Sequence, residues 1–142
     1  MAFNVLVVDD SAVMRTMVIR TLNMSGIPIA NIYQAGNGED GLNMLHEQWV
    51  DLLLLDVNMP IMDGEEMLRH VRANPDTKDL SVIVVSTEGS ETRLANLQAM
   101  GAAVVRKPFT PVMLRNVILQ ATGVTDVEYY GAGTASDNGG DF

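Results

Sequence analysis

Asp51-Leu52-Leu53-Leu54-Leu55-Asp56-Val57-Asn58-Met59-Pro60 is the stretch on which the fold turns. A continuous run of leucine leaves no polar position for a solvent-facing side, so a strand from Asp51 to Leu55 must be buried on both faces, as in a parallel sheet covered by helices. Working outward, comparable runs stand at Phe3 to Val8, Asn31 to Gln34, Ser81 to Val85 and Ala102 to Val105, the second being the weakest. Each is followed by a helix-like stretch, and that alternation specifies an α/β fold with helices on both faces of a five-stranded sheet.

The helical stretches carry their own punctuation. Met14, Met17, Val18, Thr21 and Leu22 recur at three- and four-residue steps, with Ser11 placed to cap the first helix and Gly26 to stop it. Asn37-Gly38 reads as a turn before a short second helix from Gly41 to Gln48 carrying Leu42 and Leu45. Glu65 to Ala73 puts Met67, Leu68 and Val71 on one face and ends at Asn74-Pro75-Asp76. Leu94, Leu97 and Met100 before Gly101 mark a fourth helix, and Thr110-Pro111 opens a fifth with Leu114, Val117, Ile118 and Ala121. Gly123 closes the expected domain at residues 1–123. Residues 124–142 read as an acidic, glycine-rich flexible tail, in which Tyr129, Tyr130 and Phe142 are candidate anchors.

The bulk properties exclude several classes. With 142 residues the chain suits one domain, and its 47% hydrophobic content supports a packed core. A net charge of −9 repels nucleic-acid phosphates, so no nucleic-acid partner is expected. The absence of cysteine removes disulfides, thiolate metal sites and a cysteine nucleophile, and fits a cytoplasmic address. No apolar run approaches the ~20 residues of a membrane span, and no secretion signal is read at the start, so no membrane association is expected.

Ligands of open α/β sheets bind beyond the carboxyl ends of the strands. There the sequence places Asp9-Asp10 after the first strand, Asp56 after the third, Ser86-Thr87 after the fourth and Lys107-Pro108 after the fifth. Taken singly, Asp9-Asp10 could cap the first helix, Asp56 a loop, and Lys107 could be a solvated surface residue. Taken together, the three carboxylates repel one another unless a cation joins them. Magnesium suits such a site because it takes one or two carboxylates and keeps its remaining positions for water and phosphate oxygens. Lys107 and the Ser86 hydroxyl then complete a site for a transferred phosphoryl group, with Asp56 as nucleophile.

Val7-Val8-Asp9-Asp10-Ser11, Leu54 to Pro60 with Met62-Asp63-Gly64, Val84-Val85-Ser86-Thr87-Glu88 and Arg106-Lys107-Pro108-Phe109-Thr110 together resemble the receiver domain of bacterial two-component response regulators, most closely its stand-alone chemotaxis members. The resemblance spans Phe3 to Gly123. It implies a flavodoxin-like, doubly wound sheet of order 2-1-3-4-5 and phosphorylation of Asp56 by a histidine kinase. It also implies Mg2+, with Mn2+ able to substitute, on the Asp10 and Asp56 side chains and the Asn58 backbone carbonyl, with Asp9 holding a metal-bound water. Ser86 and Lys107 would contact the phosphoryl group, Pro108 would follow a cis peptide, and Asn58 and Glu88 would set a phosphate lifetime in the chemotaxis-like range.

One departure from the family concerns the switch. Its members usually carry Tyr or Phe three residues before the lysine, where Val104 stands here, and the segment from Gly101 to Arg106 is one residue shorter. Val104 has no ring to swing, so coupling from the site would pass through Ser86 and backbone shifts.

The resulting expectation is a monomeric signalling switch, acting in chemotaxis, that binds a downstream protein on the face of the fourth helix, fifth strand and fifth helix, with a phosphatase as a further partner. It is expected not to be an enzyme, although it promotes its own phosphorylation and dephosphorylation. A phosphorelay or phosphate-sink module is the alternative. A dehalogenase-like phosphatase is disfavoured because Asn58, not Asp, stands two residues after Asp56. His46 and His70 read as surface residues. The ten methionines read mainly as core fillers, with Met59, Met62 and Met113 as alternatives for an adaptable surface.

Overall fold

A computed structural model of the chain describes residues 2–87 and 89–124, so the expectations for Glu88 and for the tail beyond Val124 lie outside the described residues. The strands are β1 (Phe3–Val8), β2 (Ile29–Ala35), β3 (Leu52–Leu55), β4 (Ser81–Ser86) and β5 (Ala103–Arg106). They alternate with α1 (Ala12–Met24), α2 (Gly38–Glu47), α3 (Gly64–Ala73), α4 (Glu91–Ala99) and α5 (Pro111–Thr122). All pairings are parallel and the order is β2-β1-β3-β4-β5, as the resemblance implies.

The leucine run behaves as its composition requires. Successive side chains of a strand point to opposite faces. Leu52 and Leu54 therefore enter one core with Val5, Val7, Ile83 and Val85, closed by Val18 and Leu22 of α1 and by Leu114 and Ile118 of α5. Leu53 and Leu55 enter the other with Leu6, Val8, Val82 and Val84, closed by Met67, Leu68 and Val71 of α3 and by Leu94 and Leu97 of α4. All four leucines are at most 1% exposed, so this central strand has no solvent side.

Helix ends follow the expected chemistry at most positions. Ser11 and Thr110 accept the Met14 and Met113 amides as N-caps, and Gly26, Gly101 and Gly123 take positive φ just past the ends of α1, α4 and α5. Asn37, read as part of a turn, is instead the N-cap of α2, accepting the Asp40 amide, so that helix begins at Gly38 and not Gly41. The second strand is also longer than its sequence suggests, and β5 begins one residue later. Ladder bonds to β1 decide the extent of β2 more than side-chain pattern does.

The methionines correct the expectation of a methionine-filled core. Met67 is fully buried, Met44, Met59, Met62 and Met100 only fringe the core, and Met17, Met24 and Met113 are exposed. On α1 the buried stripe is Val18 and Leu22, narrower than the periodicity implied, and Met17 faces solvent.

Candidate functional site

β1 and β3 are neighbours in register, with Val8 opposite Leu55, so the residues that follow them emerge side by side. The Asp56 amide donates to the Val8 carbonyl at 2.9 Å, which holds the Asp56 backbone level with Asp9. Carboxylate oxygens of Asp9, Asp10 and Asp56 lie within 4.8 Å of one another, which turns the adjacency expected from strand order into one cluster.

The acids are not equivalent. Asp9 is 4% exposed, accepts the Ser11 amide on Oδ1 at 2.9 Å, and faces Lys107 Nζ from Oδ2 at 3.6 Å. Its carbonyl accepts from Arg15 Nη1 at 2.6 Å. The capping alternative for Asp9-Asp10 is thus not adopted, since Ser11 caps α1. Asp56 is half-buried, and its carboxyl pKa is pushed up to about 6, first by burial and then by the Asp9 charge, with Lys107 opposing. Burial and the neighbouring Asp9 charge together thus outweigh the opposing lysine at Asp56.

β4 and β5 supply the other members. Ser86 is the last residue of β4, paired with Arg106, and is 1% exposed. The Lys107 amide donates to the Ser86 carbonyl at 3.0 Å, and the Lys107–Pro108 peptide is cis. Val104 pairs with Val84 and packs, half-buried, at the edge of the core that contains α3 and α4. Both switch positions thus lie on adjoining strands.

Arg93 is a member of this region that the sequence does not single out. From α4 it donates to Asn58 Oδ1 at 2.7 Å and approaches Asp63 and Glu65 at 3.8 and 3.9 Å. With Asp10, Met59 and Pro60 these residues border a cleft of about 560 Å³ beside the acids. A lone arginine in a helix carries no sequence signal, because its partners lie on the β3–α3 loop and the first turn of α3. Arg93→Ala is expected to lower stability by only about 0.5–1 kcal/mol, as partly exposed ion pairs contribute little. Urea unfolding checks this, and a loss above about 2 kcal/mol would mean that the network acts as a cooperative unit.

The donors present fit a hard divalent cation. They are all oxygen, carry one sign of charge and converge at a strand edge, and the Asp56 carboxyl is raised by burial first and by the Asp9 charge second.

A parallel sheet of order 2-1-3-4-5 with an acidic triad at the ends of β1 and β3 and a lysine after β5 defines an α/β domain whose site lies at the carboxyl edge of its sheet. The chain belongs to the response regulator receiver domain family, which its sequence matches over residues 5–119. It is 37% identical over 107 residues to a probable chemotaxis protein CheY of Rhizobium etli, covering 75% of this chain and 81% of that one. The chemotaxis protein CheY4 of Vibrio cholerae shares the fold with a TM-score of 0.74 at 31% identity, covering 85% of this chain and 99% of that one. The receiver domain of the sensor histidine kinase PA1611 of Pseudomonas aeruginosa, whose structure has magnesium coordinated in its active site cleft, matches at a TM-score of 0.75 with 21% identity, covering 87% and 99% of the two chains. Among the described residues no helix is long and apolar enough to cross a membrane.

Proposed function

We propose that the chain is a CheY-like, phosphorylation-dependent signalling switch in which Asp56 accepts a phosphoryl group from a histidine kinase. The observation that carries this is the convergence of Asp9, Asp10 and Asp56 with Lys107 beside them at one sheet edge. An Asp56 carboxylate oxygen forms the new bond to phosphorus as the phosphorus–nitrogen bond of the donor phosphohistidine breaks, and the bonding electrons leave with the imidazole nitrogen. Asp10, Asp56 and the Asn58 carbonyl would hold Mg2+, with Asp9 acting through a water. Bound there, Mg2+ supplies positive charge against the carboxylates and the phosphoryl oxygens.

Lys107, 3.6 Å from Asp9, is placed to turn to the phosphoryl oxygens. Ser86 offers its hydroxyl from the end of β4. The response then passes to the face of α4, β5 and α5, where a downstream protein binds. Relatives named for chemotaxis favour that setting, and a phosphorelay role uses the same residues. This is a switch working in the cytoplasm, not a turnover enzyme.

The test is incubation with Mg2+ and acetyl phosphate or beryllofluoride, comparing wild type with Asp56→Ala. Identical behaviour of the two overturns the proposal. Lys107→Ala is expected to retain some phosphorylation but weaken the conformational response, and unchanged partner binding by the phosphorylated variant would contradict that role. Transfer back to a histidine phosphotransfer protein, measured beside binding to motor switch proteins, separates relay from chemotaxis.

A further inference from the structure

At the opposite end of β3 from Asp56, Trp49 stands 77% exposed in the α2–β3 connection. An exposed indole is ordinarily free to rotate, yet this one is held. Its Nε1–H donates to Asp51 Oδ1 at 3.0 Å, while Asp51 Oδ2 accepts the Asn4 amide at 2.8 Å. The Asp51 amide also donates to the Asn4 carbonyl at 2.8 Å, so the indole is tied through one carboxylate to the start of β1. A tryptophan fixed in solvent loses little side-chain entropy when a partner covers it, the condition under which this residue contributes most to an interface.

Trp49 lines a groove of about 790 Å³ between α2 and the α3–β4 connection, to which Leu45, Val50 and Leu80 contribute apolar surface. A second groove of about 640 Å³ continues it toward His70, the two sharing Leu45, His46, Asp76 and Thr77. The walls are acidic, with Glu47, Asp51, Asp76 and Asp79 along the first groove. Arg72 faces Asp79, and Lys78 borders the neighbouring surface, which leaves an acidic surplus beside the apolar lining.

We infer that this trough is a docking surface for a cationic, amphipathic segment of another protein, which lays an apolar side chain against Trp49 and basic side chains along the acids. Charge selects this occupant over the two nearest alternatives. A second copy of the chain brings a net charge of −9, and residues 125–142 contain Asp126, Glu128, Asp137 and Asp141 with no Lys or Arg. The surface lies at the other end of the sheet from Asp56, so the inference stands apart from the phosphorylation proposal.

Trp49 is the chain's single tryptophan, so its emission reports the groove directly. The full-length protein is titrated with a synthetic helix of about 14 residues, four turns, carrying leucine on one face and lysine on the other. A saturable blue shift is expected, absent with a version in which glutamate replaces lysine or serine replaces leucine. Glu47→Gln with Asp76→Asn is expected to weaken binding at least about tenfold. Glu39→Gln with Glu91→Gln, which removes the same charge elsewhere, is expected to leave it unchanged. Equal weakening by both pairs, or no shift at all, overturns the inference. A resting emission that changes with protein concentration assigns the groove to a second copy. One that changes when Tyr129, Tyr130 and Phe142 are replaced by serine assigns it to the chain's own C-terminal segment.

Discussion

Asp56→Asn is expected to abolish phosphoryl uptake and yet raise the stability of the metal-free domain at neutral pH by about 1–2 kcal/mol. The Asp56 carboxyl is pushed from 3.8 to about 6 by burial and by Asp9, so its ionised form is disfavoured in the folded state. Below the unfolded-state value the group is protonated in both states and the fold bears no penalty. As pH rises from about 4 through about 6 the unfolded chain loses this proton more readily than the folded one, and stability falls. Above that window the penalty is complete. About 1.4 kcal/mol per pKa unit sets an upper bound near 3 kcal/mol for the shift, and solvent screening of a half-buried group reduces it.

The advantage of the asparagine variant should therefore appear between pH 4 and pH 7 and shrink toward the acid end. Millimolar Mg2+ should reverse the ranking, because cation binding stabilises the folded wild type by mass action while the variant has lost a donor. Thermal unfolding of both proteins across pH, with and without Mg2+, checks this. Equal stabilities in the absence of metal at neutral pH would show that folding places no penalty on the ionised Asp56 carboxyl.

Gly64→Ala is expected to lower stability by about 2–3 kcal/mol and to impair phosphoryl uptake as well. Gly64 opens α3, and its amide donates to the Val57 carbonyl at 2.8 Å. A Cβ there would overlap the main-chain carbonyl oxygen of Asp56 and lie 3.0 Å from Val57 Cα. Both obstacles are backbone, so either α3 or the loop that carries the phosphoacceptor has to move. Gly26 provides the contrast. It has φ +84° with nothing within 4 Å of an added Cβ, so Gly26→Ala meets only conformational strain of about 1 kcal/mol. Urea unfolding of the two variants separates crowding from strain, and similar losses would remove the crowding account. A Gly64→Ala protein that is stable but poorly phosphorylated would show that the loop, not the helix, yields.

The acidic cluster was legible in the sequence because the Asp9-Asp10 pair and Asp56 each follow an apolar run, and strand ends in a parallel sheet share one edge. The helix caps at Ser11 and Thr110 were legible for the same reason of locality, each accepting an amide three residues on. Asn37 shows the limit of that reading. Asn-Gly signals a turn and a helix start equally well, and the Gly38 amide bond to the Met62 carbonyl, from a different loop, accompanies the helix start. Arg93 was illegible, since Asn58 lies 35 residues away in sequence. The methionines misled because hydrophobicity states a preference for burial but not the angle at which a helix meets the sheet.

By itself, then, the sequence determined the alternation of strands and helices, the two-sided burial of Leu52 to Leu55, and the set of chemical groups delivered to the carboxyl edge. These follow from periodicity, propensity and spacing, which act within a few residues. Only the tertiary structure decided that Lys107 rests against Asp9, that Asp56 bears the raised pKa, that Arg93 reaches Asn58, and that Trp49 is held in solvent by Asp51. Most of these depend on distances between segments remote along the chain, all depend on side-chain rotamers chosen by packing, and electrostatic energies change steeply over those few ångströms.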